Sequence, residues 1–128
     1  MKFLVIILSA LVVFGCSKRD KTPEILRIYE DFTRVSTAAG ACAKPSKEEL
    51  TKFLANYQMV SALALQKIQE MKPSFSKEQA AEKLKGAGKG ITKQTQEKIS
   101  KEGCDSASIK ELVEKFHKLS DWKPVGGS

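Results

Sequence analysis

Three times in this chain a serine is followed three residues later by Glu or Gln, and an apolar run of helical period then begins: Ser46–Glu49, Ser76–Gln79 and Ser108–Glu111. In such a capping box the hydroxyl and the distal side chain each satisfy a backbone donor at a helix start. Asp105 and Ser106 compete with Ser108 for the last of these caps. Nowhere does the sequence alternate with the period of two that marks a half-buried strand. The fold class expected is therefore all-α, a small bundle of about four amphipathic helices.

The first helix lacks a capping box but has other start signals. Thr22 is a suitable N-cap, Pro23 suits the first helical position, where its missing N–H costs nothing, and Glu24 meets the positive end of the dipole. Ile25, Ile28, Phe32, Val35, Ala39 and Cys42 then form one stripe, and Gly40 with Pro45 ends it. The second helix carries Leu50, Phe53, Leu54, Tyr57, Val60, Ala64, Leu65, Ile68 and Met71. Its run Met59–Leu65 is apolar around most of the circumference, which predicts the most buried helix of the set; the alternative is a surface for a partner.

The third helix keeps Ala80, Leu84, Ala87, Ile91, Thr95 and Ile99 in phase through Gly86-Ala87-Gly88-Lys89-Gly90, so one long helix is expected, each glycine costing about 1 kcal/mol relative to alanine. Two short helices joined by a glycine loop are the alternative. Gly86, Ala87 and Gly90 are small enough for another backbone to approach, and Gly103 suits the C-terminal cap. The last helix has Ile109, Leu112, Val113, Phe116 and Leu119 on its stripe. Trp122 follows, either closing the core or standing at the surface as an interface anchor.

Before these helices comes a different kind of segment. Lys2 precedes the uncharged apolar run Phe3–Phe14, the length of a signal-peptide core. As a helix it would reach only about 18 Å, against a hydrocarbon thickness of about 30 Å. Val13-Phe14-Gly15-Cys16 resembles the bacterial lipobox, with an aliphatic residue, a variable one and a small one before the cysteine. That resemblance implies a lipoprotein precursor: a signal peptide over 1–15, lipidation of Cys16 with palmitate among its chains, and a membrane partner through the N-terminal lipid. In the enteric sorting pattern it resembles, Ser17 implies delivery to the outer membrane, with the domain facing the periplasm. The alternative is an ordinary secretory signal and a chain released to the periplasm or the cell surface.

An exported chain changes the cysteine arithmetic. With Cys16 lipidated, Cys42 and Cys104 remain as one pair in an oxidising compartment. Their bridge would close about 62 residues and contribute about 4 kcal/mol in the chain-entropy model. Two free thiols in the core are the alternative. Residues 16–22 then form the lipidated N-terminus and a tether whose Lys18, Arg19 and Lys21 either attract an anionic surface or serve as a solvated linker. Residues 23–122 form the helical bundle domain, and 123–128 a flexible tail.

Charge narrows the partners. The chain carries 22 basic and 15 acidic residues, a formal charge of +7 that becomes +6 when Lys2 leaves with the leader. In the cytoplasm this would suggest nucleic acid, but an exported domain meets acidic proteins and anionic envelope components, and no nucleic acid is expected. Lys85, Lys89 and Lys93 share one face of the third helix, with Lys83 nearby and no acidic residue between Glu82 and Glu97. This stripe is either a docking surface or a solvated face. Together with Trp122 it supplies the candidate partner-binding residues.

No catalytic constellation is expected. Gly86–Gly90 resembles the tail of a phosphate-binding loop, but position 83 is Lys and position 90 is Gly, so the required glycine and hydroxyl are missing and no nucleotide is expected. His117 is the only histidine, and no nucleophile or carboxylate spacing supports it as a base. No Cys-x-x-Cys occurs, so neither a metal nor any cofactor is implied. The chain is not expected to be an enzyme. Two function classes fit: a periplasmic protein-binding module, similar in build to immunity, plasmid-exclusion or secretin-pilotin lipoproteins, or a structural lipoprotein binding anionic envelope components through its lysines.

Overall fold

The computed structural model describes residues 22–124, in which four helices follow one another with no strand. They are α1 (Glu24–Cys42), α2 (Lys47–Met71), α3 (Lys77–Glu102) and α4 (Ala107–Ser120). The expected signal peptide 1–15, Cys16, nearly all of the 16–22 tether and the 125–128 end of the tail lie outside the described residues. None of the described helices is long and apolar enough to cross a membrane.

Local chemistry sets the helix boundaries. α3 opens with the full reciprocal capping box: the Gln79 N–H donates to Ser76 Oγ at 3.1 Å, and the Ser76 N–H donates to Gln79 Oε1 at 2.8 Å. α2 has half of one. Ser46 Oγ accepts from the Glu49 N–H at 3.1 Å, but the Glu49 carboxylate turns to His117 of α4. At α4 the cap is Ser106, whose hydroxyl accepts from the Ile109 N–H at 3.3 Å while donating to the Gly103 carbonyl at 3.1 Å. The Ser108–Glu111 box is not formed, because Ser108 lies inside the helix and its hydroxyl donates to Glu102. α1 also differs from expectation by one residue: Pro23 itself is the N-cap, with an extended ψ of 138°, and Thr22 lies outside the helix.

α3 runs unbroken through its glycines, and Gly103 caps it with φ 83°, a left-handed value that favours glycine. The Gly103 N–H bonds the Ile99 carbonyl at 2.8 Å. Immediately beyond, Cys104 is bonded to Cys42 at the end of α1, with Cα atoms 5.4 Å apart. The disulfide joins elements separated by 62 residues and fixes α3 against α1 at that end.

α1 is the element around which the others are arranged. It packs against α2, α3 and α4, and α2 also meets α3 and α4, whereas α3 and α4 barely touch. Phe32, Val35, Ala38 and Ala39 of α1 are buried, and so are Tyr29 and Thr33 to one side of the expected stripe. The expectation that α2 would be the most buried helix is therefore corrected. Only Phe53, Val60 and Ala64 of α2 are buried, and Met59 within its apolar run is 43% exposed. Local hydrophobicity does not reveal how many neighbours a segment meets; α1 is shorter, but the most extensive packing in the bundle is all against it.

The core is aromatic. Phe32 lies 5.2 Å from Phe53 between ring centroids, and Phe53 stacks on Phe116 at 4.5 Å. Trp122, half-buried just past α4, meets Phe32 edge-on at 5.9 Å and closes that end. Asn56 secures the same end by donating to the Leu119 and Ser120 carbonyls, both at 3.0 Å. Among the described residues, no buried side-chain N or O atom lacks a partner.

Candidate partner-docking site

Four residues of α-helix advance the chain about 6 Å, so Lys85, Lys89 and Lys93 stand in a row of about that spacing. The structure places all three on one wall of a groove of about 420 Å³. Thr92 and Gln96 share this α3 wall, Tyr57 comes from α2, and Tyr29 and Thr33 of α1 form the floor with Gly88. No Asp or Glu lines the groove among the described residues. Nor do the three lysines make an ion pair among them; the ion pairs lie elsewhere, such as Asp31 with Arg34 at 3.2 Å and with Lys115 at 3.4 Å.

Tyr29 lies close against α3 because one residue of that helix has no side chain. Gly88 is buried against Tyr29, and a Cβ built on it would lie 2.6 Å from Tyr29 Oη. Tyr29 therefore reaches past the helix and donates to the Leu84 carbonyl at 3.3 Å. This corrects the expectation that Gly86, Ala87 and Gly90 would face a neighbouring backbone. Nothing lies within 4 Å of a Cβ built at Gly86 or Gly90, and Ala87 is exposed. The buried phase of α3 is Ala80, Leu84, Gly88, Ile91 and Thr95, displaced by one residue at the glycines.

Hydrogen bonds hold the floor in place. Thr33 has one hydroxyl proton and gives it to the Tyr29 carbonyl at 2.9 Å. The 2.7 Å contact between Thr33 Oγ1 and Tyr57 Oη is then donated by the tyrosine. Both tyrosine protons are committed within the protein, and their oxygens keep acceptor lone pairs. Burial, and after it the neighbouring Tyr57, raise the Tyr29 pKa above its ordinary value of 10.0, so this hydroxyl stays neutral. The floor is uncharged and the wall cationic, an arrangement suited to receiving anionic groups at its edge.

The other expected site residues lie apart from this groove. Lys83 lines a separate hollow with Phe75, Glu78, Gln79 and Glu82. Trp122 packs on the core and borders an outer groove with Lys52, Asn56 and Met59. His117 is exposed and hydrogen-bonds Glu49, which ties α4 to the start of α2. Among the described residues, no three of His, Cys, Asp and Glu come together in a metal-sized group. Sequence reasoning missed Tyr29, Thr33 and Gly88. The i, i+4 pair Tyr29–Thr33, beside the apolar stripe of α1, was the available clue.

No protein-family model, no curated protein and no solved structure matches the chain.

Proposed function

We propose that this chain is the precursor of a lipid-anchored envelope protein. Its leader, residues 1–15, is removed, Cys16 is lipidated, and the helical domain is held at the outer membrane facing the periplasm. There it serves as a binding module that holds or neutralises another protein, in an immunity, exclusion or pilotin-like role. The carrying observation is the groove in which Lys85, Lys89 and Lys93 form one wall above an uncharged tyrosine floor, with no acidic residue in its lining among the described residues. Rigid helices and a disulfide present it, so a shape-selective partner can meet a preformed surface. The site offers cations to dock against rather than a nucleophile beside a base, which supports binding over catalysis.

The reading is tested by crosslinking and capture of the lipidated protein from intact cell envelopes. One stoichiometric protein is expected, retained at moderate salt and lost when Lys85, Lys89 and Lys93 are all changed to Glu. Recovery of only lipid or polysaccharide, fading as salt is added, would overturn this reading in favour of a structural lipoprotein. The anchor has its own test: Cys16→Ser should abolish lipid labelling and membrane fractionation, and unchanged fractionation would refute it.

A further inference from the structure

An exposed ion pair contributes only about 0–1 kcal/mol, so a row of three surface lysines needs apolar contact beside it to hold a partner. That contact is adjacent. Tyr57 lines the basic groove and also a second hollow of about 320 Å³, which it shares with Leu54, Gln58 and Ser61. Leu54 is 46% exposed, and Leu50, one turn earlier on α2, is 39% exposed. Two hollows that meet at Tyr57 therefore have a cationic wall on α3 and an apolar wall at Leu54 on α2, with Leu50 on the same helix one turn beyond the second hollow.

The two walls share one repeat. Lys85, Lys89 and Lys93 recur every fourth residue, as do Leu50 and Leu54, a step of about 6 Å along each helix. A helix carrying carboxylates at i, i+4 and i+8 presents them at the same interval, and apolar residues three or four positions apart form the neighbouring edge. We propose, on the basis of the binding-module reading, that the surface receives an acidic amphipathic helix of the partner protein. Its carboxylates face Lys85, Lys89 and Lys93, and its apolar edge lies on Leu50, Leu54 and Tyr57.

Charge selects this occupant over a second copy of the chain. The chain carries a formal charge of +7, or +6 once Lys2 leaves with the leader, so two copies repel one another whereas an acidic partner is attracted. A flat anionic bilayer would meet the lysines, but it cannot enter the hollows that Tyr57 lines.

The test places a photoreactive benzophenone amino acid at Leu54 on the apolar wall, at Gln96 on the basic wall, or at Met59 on another side of α2, in cells producing the lipidated chain. Adducts are then mapped by mass spectrometry. Leu54 and Gln96 are expected to label the same stretch of one protein, and its Asp and Glu residues should recur at i and i+4. Lys85→Glu, Lys89→Glu and Lys93→Glu together should reduce both yields by roughly tenfold, because three favourable pairs become repulsive. Leu54→Asp should reduce the Gln96 yield while circular dichroism shows the bundle intact. Adducts from Met59 but not from Leu54 or Gln96 would leave a binding module and overturn this docking surface. Adducts only to lipid, or no protein adduct at all three positions, would overturn both readings. Labelling of a second copy, of a segment without the acidic repeat, or yields indifferent to charge reversal would overturn the helix proposal alone.

Discussion

α4 and α3 pack on opposite flanks of the α1–α2 pair, and they are held there by different means. α4 is attached by side-chain volume: Phe116 and Ile109 are buried, and Phe116 stacks on Phe53 at 4.5 Å. Asn56 adds two hydrogen bonds, and His117 and Lys115 reach Glu49 and Asp31. The fully buried residues of α3 are all small, Ala80, Gly88 and Thr95, with Leu84 and Ile91 half-buried beside them, and a disulfide just past its C-terminal end holds it to α1. A flank attached by small residues and a covalent tie leaves space alongside it. The groove lies on that flank, because a helix with large inward side chains would have filled the space above Tyr29 and Tyr57.

Removing volume should hurt most on the α4 flank. Phe116→Ala is expected to cost about 3–5 kcal/mol by lost transfer and cavity terms, read as a lower midpoint in denaturant. A loss within the range of an exposed substitution would refute the division. On the other flank the covalent tie should carry the corresponding weight. Replacing both Cys42 and Cys104 with Ser should cost about 2–4 kcal/mol and speed hydrogen exchange more in α3 than in α4. Equal exchange in both helices would remove the distinction.

The glycines of α3 sharpen the comparison at single-residue scale. Gly88→Ala sets a methyl group against Tyr29 Oη and should break its bond to Leu84, a net loss of about 1 kcal/mol once the helix-propensity gain is deducted. Gly86→Ala and Gly90→Ala meet open space and should stabilise by about 0.5–1 kcal/mol each. A stabilising Gly88→Ala would mean that Tyr29 does not need the gap.

The smallest effect is one of pH. Tyr29 has its pKa raised in the folded state, so its favourable contribution is complete below its unfolded value, near 10, and is lost as pH rises through the folded one. Tyr29→Phe should therefore make stability fall less steeply above about pH 10 than in the parent protein, as followed by chemical denaturation.

Much of this is legible in the amino-acid sequence. Ser46, Ser76 and Gly103 each terminate a helix through bonds to residues within four positions, and sequence displays such short-range chemistry directly. Where sequence reading failed, the deciding partner was distant. Glu49 leaves its own cap for His117, 68 residues away, and nothing in Ser46–Glu49 announces that. Gly88 could not be told from Ala87 as the inward position because neither has a side chain large enough to mark a phase. Only Tyr29, bonded to a carbonyl 55 residues away, distinguishes them.

Four helices, their order, most of their ends and the lysine row follow from the amino-acid sequence, because helical period and capping depend on neighbours along the chain. It also identified Cys42 and Cys104 as partners once Cys16 was set aside. The central place of α1, the separation of Lys83 from Lys85, Lys89 and Lys93, and the two tyrosines from different helices beneath those lysines come from packing. Those outcomes depend on which faces meet across tens of residues, a property of packing that no local pattern encodes.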